Sequence, residues 1–393
     1  MQPNDAFHGD TEASHDPAVP QQLRVRRGLP HVLAKVRQAG DDAAPLKVAY
    51  LGGSITRADG WRTGTFAWLQ ERFPEAELVQ INAAVPGTGA DFAAARLHDD
   101  LLRHEPDLVF VEFRVNGGGP DAPRAIEGVV RQIREANPTT DICFVYTIGE
   151  WMLKDFEAGR QFWFGRAMEA VADRYGIPSV DLGVEVFEQM QEGRLLFKAD
   201  TPVEGKLVFS RDGVHPGQAG HELYTQVVTR SLETVFDADR PAEPHGLPEP
   251  IHANHYARAS LMPASAYETS SGWEAVDTQH DDVYTRDRMR SRAMLGDALR
   301  TDQVGASLTV TWEGTRLVLT HIPQGDGITI EVAQDGGVPE TLVFKQGSPE
   351  RLHAQFIYLP ELPQGRHTTT VMVKALPEGA FYYAGQSVVA RDP

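Results

Sequence analysis

Between Lys47 and about Asp181 the chain alternates short apolar runs with amphipathic stretches. The runs "LKVAYL", "ELVQIN", "DLVFVEF", "DICFVYT" and "IPSVDL" have strand length and the near-continuous hydrophobicity of strands covered on both faces. Between them, "ADFAAARLHDDLLRH", "PRAIEGVVRQIREA" and "GRAMEAVADRYG" repeat apolar residues at helical spacing. The last stops at Gly176, two residues before Pro178, a common helix end. Strand and helix patterns in alternation predict βαβ units and a parallel sheet.

A different periodicity follows. After Phe236 the stretch "DADRPAEPHGLPEPIHANH" is dense in proline and aperiodic, which predicts a linker over residues 238–253. Beyond it Leu308, Val310 and Trp312 alternate with Thr309 and Thr311, "EGT" marks a turn, and Asp335 and Gly336 mark another. With "HTTTVMVKAL" and "FYYAGQSVVA", these patterns predict an antiparallel, jelly-roll-like β-sandwich over residues 254–393. Residues 1–24 are polar, rich in Asp and Pro and without period, and are expected to be disordered. That leaves residues 25–237 as the α/β unit. No internal repeat is visible.

Composition narrows the function classes. The 393 residues carry 37 Lys plus Arg against 55 Asp plus Glu, a net charge of −18 that repels phosphate backbones and anionic lipids. Neither nucleic acid nor a membrane is an expected partner. Cys143 is the only cysteine, which excludes an intrachain disulfide and a multi-cysteine zinc site; it is expected to be a small core residue. The first residues have no basic or apolar leader pattern, and no window approaches the roughly 20 apolar residues of a membrane span. A soluble cytoplasmic protein is the expectation, or a secreted one if a leader has been removed.

Candidate chemistry starts at "YLGGSITRADGWR". Ser54 follows the first strand directly, at the carboxyl edge of the expected sheet, where α/β proteins bind ligands. The string is not the G-x-S-x-G elbow, since Thr56 replaces the final glycine, and taken alone such a serine reads first as a helix N-cap. In "SRDGVHPGQAGHELY", Asp212 precedes His215 by three positions, so one tight turn can deliver a carboxylate and an imidazole together. His221 falls inside the helix that follows and reads as structural. Two further strand ends offer oxyanion donors: Gly87 in "VQINAAVPGTGADF", whose N–H a substrate can approach closely, and the Asn116 carboxamide in "LVFVEFRVNGGGP". Each of these features alone is weak.

Together and in this order, the four blocks resemble the SGNH hydrolases, or GDSL esterase/lipase family, over about residues 25–236. The resemblance implies a flavodoxin-like three-layer α/β domain. It also implies Ser54 as nucleophile, Asp212 and His215 as its partners, and the Ser54 and Gly87 N–H groups with the Asn116 side chain as an oxyanion hole. No metal or organic cofactor is implied. Two departures stand out: the usual "GDS" is "GGS", and Gly117 replaces the aspartate that commonly follows the third-block asparagine. The "GGSIT" form looks like a subgroup linked to carbohydrate ester cleavage. A short-chain acylesterase acting on an acylated carbohydrate is therefore expected. A longer-chain lipase or thioesterase and a non-catalytic glycan-binding protein are the alternatives, and a homo-oligomer is left open.

Three more residues are candidates for substrate binding. Arg114 should share a strand face with Glu112 and Asn116 just below the crevice, either paired with Glu112 or free to bind an anionic group. Trp61 opens a helix with Phe66, Leu69 and Phe73 on its core stripe and either packs there or walls the pocket. Trp151 begins the aromatic segment "EWMLKDFEAGRQFWFG", a candidate sugar or acyl platform. "EGRLLFKADTPVEGKLVF" reads as a lid or a hairpin. The aromatics Trp312, Phe356, Tyr358, Phe381, Tyr382 and Tyr383 read as sandwich core and edge, or as a glycan-binding or dimer surface.

Overall fold

A computed structural model describes residues 18–40, 43–117, 119–277, 279–283, 294–345 and 354–392. The five apolar runs form β2 (Leu46–Gly52), β3 (Leu78–Asn82), β4 (Leu108–Glu112), β5 (Asp141–Tyr146) and β6 (Ser179–Asp181). They lie parallel in the order β3-β2-β4-β5-β6, the flavodoxin-like winding. Strand β1 (Leu23–Arg24) adds to the far edge, antiparallel to β6. Disorder was expected through residue 24. Residues 1–17 lie outside the described residues, but Arg24 is buried and paired with the buried Glu169, which Arg26 also reaches at 2.7 Å. A carboxylate deep in the core gives this short polar strand a reason to dock.

Helices cover both faces of the sheet. On one side lie α1 (Pro30–Val36), α3 (Trp61–Arg72), α8 (Leu182–Gln191) and α9 (Gln218–Asp237), whose apolar faces share a core with Val48, Tyr50, Phe110 and Val145. On the other lie α4 (Ala90–Asp100), α5 (Ala122–Ala136) and α7 (Trp163–Tyr175), packed on Ala49, Val111 and Phe144. Segment 192–209 does not take the hairpin form, one of the two expected, because Leu195–Lys198 and Leu207–Ser210 pair in parallel.

The C-terminal half is a sandwich of antiparallel sheets, of five and seven strands among the described residues. Leu308, Val310 and Trp312 face Leu317, Leu319 and Tyr382 across its interior. The turn at Asp335 and Gly336 has both residues at positive φ, +51° and +68°, and closes with Gly337 N–H on Gln334 O at 2.9 Å, within a seven-residue connection between the paired residues Val332 and Glu340. Strand Arg316–Pro323 is buried almost throughout. Leu317 and Leu319 point into the sandwich, whereas Val318 and Ile322 join the core of α4 and α5 with Phe92 and Leu97. The centre of the seven-stranded sheet is thus covered on both faces, by the other sheet and by the α/β unit.

Residues 238–255 carry no helix or strand, yet they are held along their length. The His245 N–H bonds Pro138 O at 2.7 Å, and the Glu127 carboxylate accepts from the N–H groups of Ile251 and His252 at 2.7 and 2.8 Å.

Candidate active site

Ser54 is the first residue of the short helix α2 (Ser54–Arg57), two positions past the end of β2. It makes no capping bond, and at the first helical position its N–H has no intrahelical acceptor. Its Oγ lies 2.8 Å from His215 Nε2. His215 Nδ1 lies 2.7 Å from Asp212 Oδ2. Because a carboxylate only accepts, Nδ1 carries the proton, and the Nε2 lone pair faces the serine hydroxyl.

The loop that delivers this pair closes on its own carboxylate. Asp212 Oδ1 accepts from the backbone N–H groups of Val214 and His215 at 2.9 and 2.8 Å and from the Ser210 hydroxyl at 3.1 Å. Burial pushes the Asp212 carboxyl up, but these bonds and that of the His215 ring outweigh it and hold the group well below the usual carboxylate range. Asp212 therefore stays ionised beside the imidazole. Gly213 takes a φ of +82° at the turn, and its carbonyl accepts the Glu150 N–H at 2.8 Å. Both side chains are about half exposed, so the site opens to solvent.

Three loops converge beside Ser54. Val85 N–H bonds Gly52 O at 3.0 Å, which fastens the loop carrying Gly87 to the end of β2; Gly87 is exposed, with φ +68°. Asn116 closes a turn on Phe113 O at 2.9 Å, and its carboxamide lies over Gly53. A Cβ on Gly53 would stand 2.1 Å from Asn116 Oδ1, and one on Gly89 would stand 3.1 Å from Asn116 O. The departures from the common family pattern now have a packing cause. Asn116 fills the space an aspartate at 53 would need, and the Phe164 ring lies where a Cβ on Gly117 would fall, at 1.8 Å.

Beneath the serine turn sits a brace that sequence reasoning missed. Glu112 accepts from the Thr56 and Thr147 hydroxyls at 2.8 and 2.6 Å and from the Gly53 backbone. Burial raises its pKa against those bonds. A buried glutamate closing the strand beside the serine strand, with a threonine two positions past the serine, was the available signal.

Arg114 requires a correction. Strand β4 ends at Glu112 and Phe113–Asn116 is a turn, so the period-two argument does not carry Arg114 to the crevice. The residue is wholly buried. Its guanidinium bonds Asp181 at 2.5 Å, Gln161 at 2.9 Å and Thr147 O at 2.8 Å, so its charge is matched by Asp181 rather than by Glu112 or a ligand. Trp61 is corrected likewise: it has no exposed surface and packs edge-on against Tyr50 and Phe110. Trp151 is 43% exposed, on the turn that Glu150 ties to Gly213, beside the Asp212–His215 loop. His221 lies in α9 against Gly60 and accepts the Trp61 N–H at 3.3 Å, and burial, followed by the nearby His215, pushes its pKa down.

Residues 50–223 match the model of the GDSL-like lipase/acylhydrolase family. Two solved structures of CEX, a two-domain esterase active on acetylated mannans, are similar over both halves. The one co-crystallised with mannopentaose gives a TM-score of 0.75 and the other 0.76, each at 20% identity over 96% of this chain and 98% of the other. At that identity the likeness is one of fold. A search of curated proteins gives no match. Residues 50–223 of the α/β half are thus similar to the GDSL-like lipase/acylhydrolase family, and the chain as a whole shares its fold with a two-domain esterase.

Proposed function

We propose that the protein is a serine esterase that removes acetyl or other short acyl groups from a carbohydrate through an acyl-enzyme on Ser54. The observation that carries this reading is the hydrogen-bonded series Ser54 Oγ, His215 and Asp212, at 2.8 and 2.7 Å, in an open site at the carboxyl edge of the sheet. His215 Nε2 takes the hydroxyl proton as Oγ adds to the ester carbonyl, and Asp212 holds the ring and stabilises the imidazolium. The oxyanion is held by the Ser54 and Gly87 N–H groups and the Asn116 carboxamide. His215 then protonates the departing sugar hydroxyl, and water, deprotonated by the same nitrogen, releases the acid.

The carbohydrate assignment is supported by a fold shared across both halves with an esterase described as active on acetylated mannans. A half-exposed site suits an ester carried on a polymer, and the exposed Trp151 ring supplies a flat apolar face for a sugar beside it. Acetate release from a panel of acetylated polysaccharides tests the reading. The parent should release acetate, and Ser54→Ala should lose at least about a thousandfold in rate. Rates on p-nitrophenyl esters that rise from acetyl to octanoyl would instead mark a long-chain lipase.

A further inference from the structure

We propose that His31, Asp141 and His245 form a binding site for one zinc-type divalent cation, a structural ion that fastens the segment joining the two halves to the α/β sheet. One ligand atom from each residue lies within 4.8 Å of the other two, the one such group of three among the described residues. The residues come from three places distant in sequence: the start of α1, the first position of β5 and the segment after α9. Asp141 opens its strand, so the group sits at the amino edge of the sheet, opposite the edge that carries Ser54. The site is separate from the ester chemistry.

The donor set is two imidazoles and one carboxylate, a combination zinc accepts with a fourth position open to water. The surroundings are those that ligands need. Asp141 is wholly buried, and its second oxygen is fixed by the Val32 N–H at 2.9 Å. His31 Nε2 lies 2.9 Å from Glu243 O, a carbonyl that can only accept, so the neutral ring carries its lone pair on Nδ1. His245 is nearly buried, and its ring stands edge-on to that of His31 with centroids 5.0 Å apart. His31 is partly exposed, which gives an ion a way in.

Without the ion, His245 Nε2–H donates to Asp141 Oδ1 at 2.8 Å. Two ligands about 2.0 Å from a tetrahedral ion stand about 3.3 Å apart, so binding needs this pair to open by about half an ångström. The ring proton moves through solvent from Nε2 to Nδ1, so the imidazole stays neutral and its Nε2 lone pair turns to the metal. Sequence spacing gave no hint of the group, because a zinc pattern is read from ligands close together in the chain.

The full-length protein, stripped with chelator, is titrated with zinc chloride and its metal content measured after dialysis. One equivalent is expected. Cobalt should give the intense visible bands of a tetrahedral site. His31→Ala and His245→Gln should each weaken binding at least tenfold while keeping the parent's rate on p-nitrophenyl acetate, which also shows that they fold. His215→Ala should bind zinc as the parent does. Absence of saturable binding in the parent would overturn the proposal. So would binding that survives both histidine substitutions but is lost with His215.

Discussion

Asn116 lies where its carboxamide covers Gly53 and borders the serine turn, and its Oδ1 has no hydrogen-bond partner among the described residues. On the proposed mechanism, Asn116→Ala should lower kcat by about a hundredfold or more, the usual effect of removing one oxyanion donor, with little change in Tm. Steady-state kinetics and a melting curve on the same sample check both halves of that expectation. His321 poses the opposite case, a buried imidazole with no chemical task. Neither ring nitrogen has a hydrogen-bond partner among the described residues, and burial pushes its pKa down to about 3. The unfolded ring binds a proton below ~6.5, whereas the folded one resists until about 3, so stability is lost as pH falls through that window. His321→Leu should melt no lower than the parent near neutrality. Its advantage should grow as pH falls, up to ~3 kcal/mol by about pH 4.

At the scale of elements, Glu127 on α5 is the anchor of the segment between the two halves. It accepts from the Ile251 and His252 backbone, the His252 ring and the Tyr175 hydroxyl. Burial raises its pKa, but these bonds prevail and hold it at about 2. The stabilisation is whole above the unfolded value of ~4.3 and is lost as pH falls toward about 2. Glu127→Gln should melt lower than the parent at neutral pH, and the two melting curves should converge by about pH 2 to 3. The elements themselves were legible in sequence because they obey local rules: apolar runs for buried strands, helical stripes, a threonine-spaced alternation and an Asp-Gly turn. Ser54, Asp212 and His215 were legible as motifs. What escaped were pairings set by the folded chain alone. Arg114 meets Asp181 across 67 positions. The end of β4 two residues before Arg114 shifted that residue off the expected face. The linker pattern gave its lack of secondary structure but not the carboxylate that grips it.

For the whole molecule, the centre of the seven-stranded sheet is packed on both faces. Val318, Ile322 and Val388 complete the core of α4 and α5, the Tyr358 hydroxyl reaches Asp91, and Arg316 bonds Asp121 at 2.7 Å. The full chain should accordingly unfold in one calorimetric transition with equal calorimetric and van't Hoff enthalpies. Residues 1–255 expressed alone should aggregate, since Phe92, Leu97 and their neighbours would face water. Two separate transitions would contradict this picture.

A sheet shared in this way also constrains descent. An accessory module on a tether can be gained, lost or exchanged without harm to the part it serves, but here each half supplies wall to the other. Substitutions on α4 must be answered on strand Arg316–Pro323, so the two halves of this chain should have changed together through time, as the subunits of an obligate dimer do.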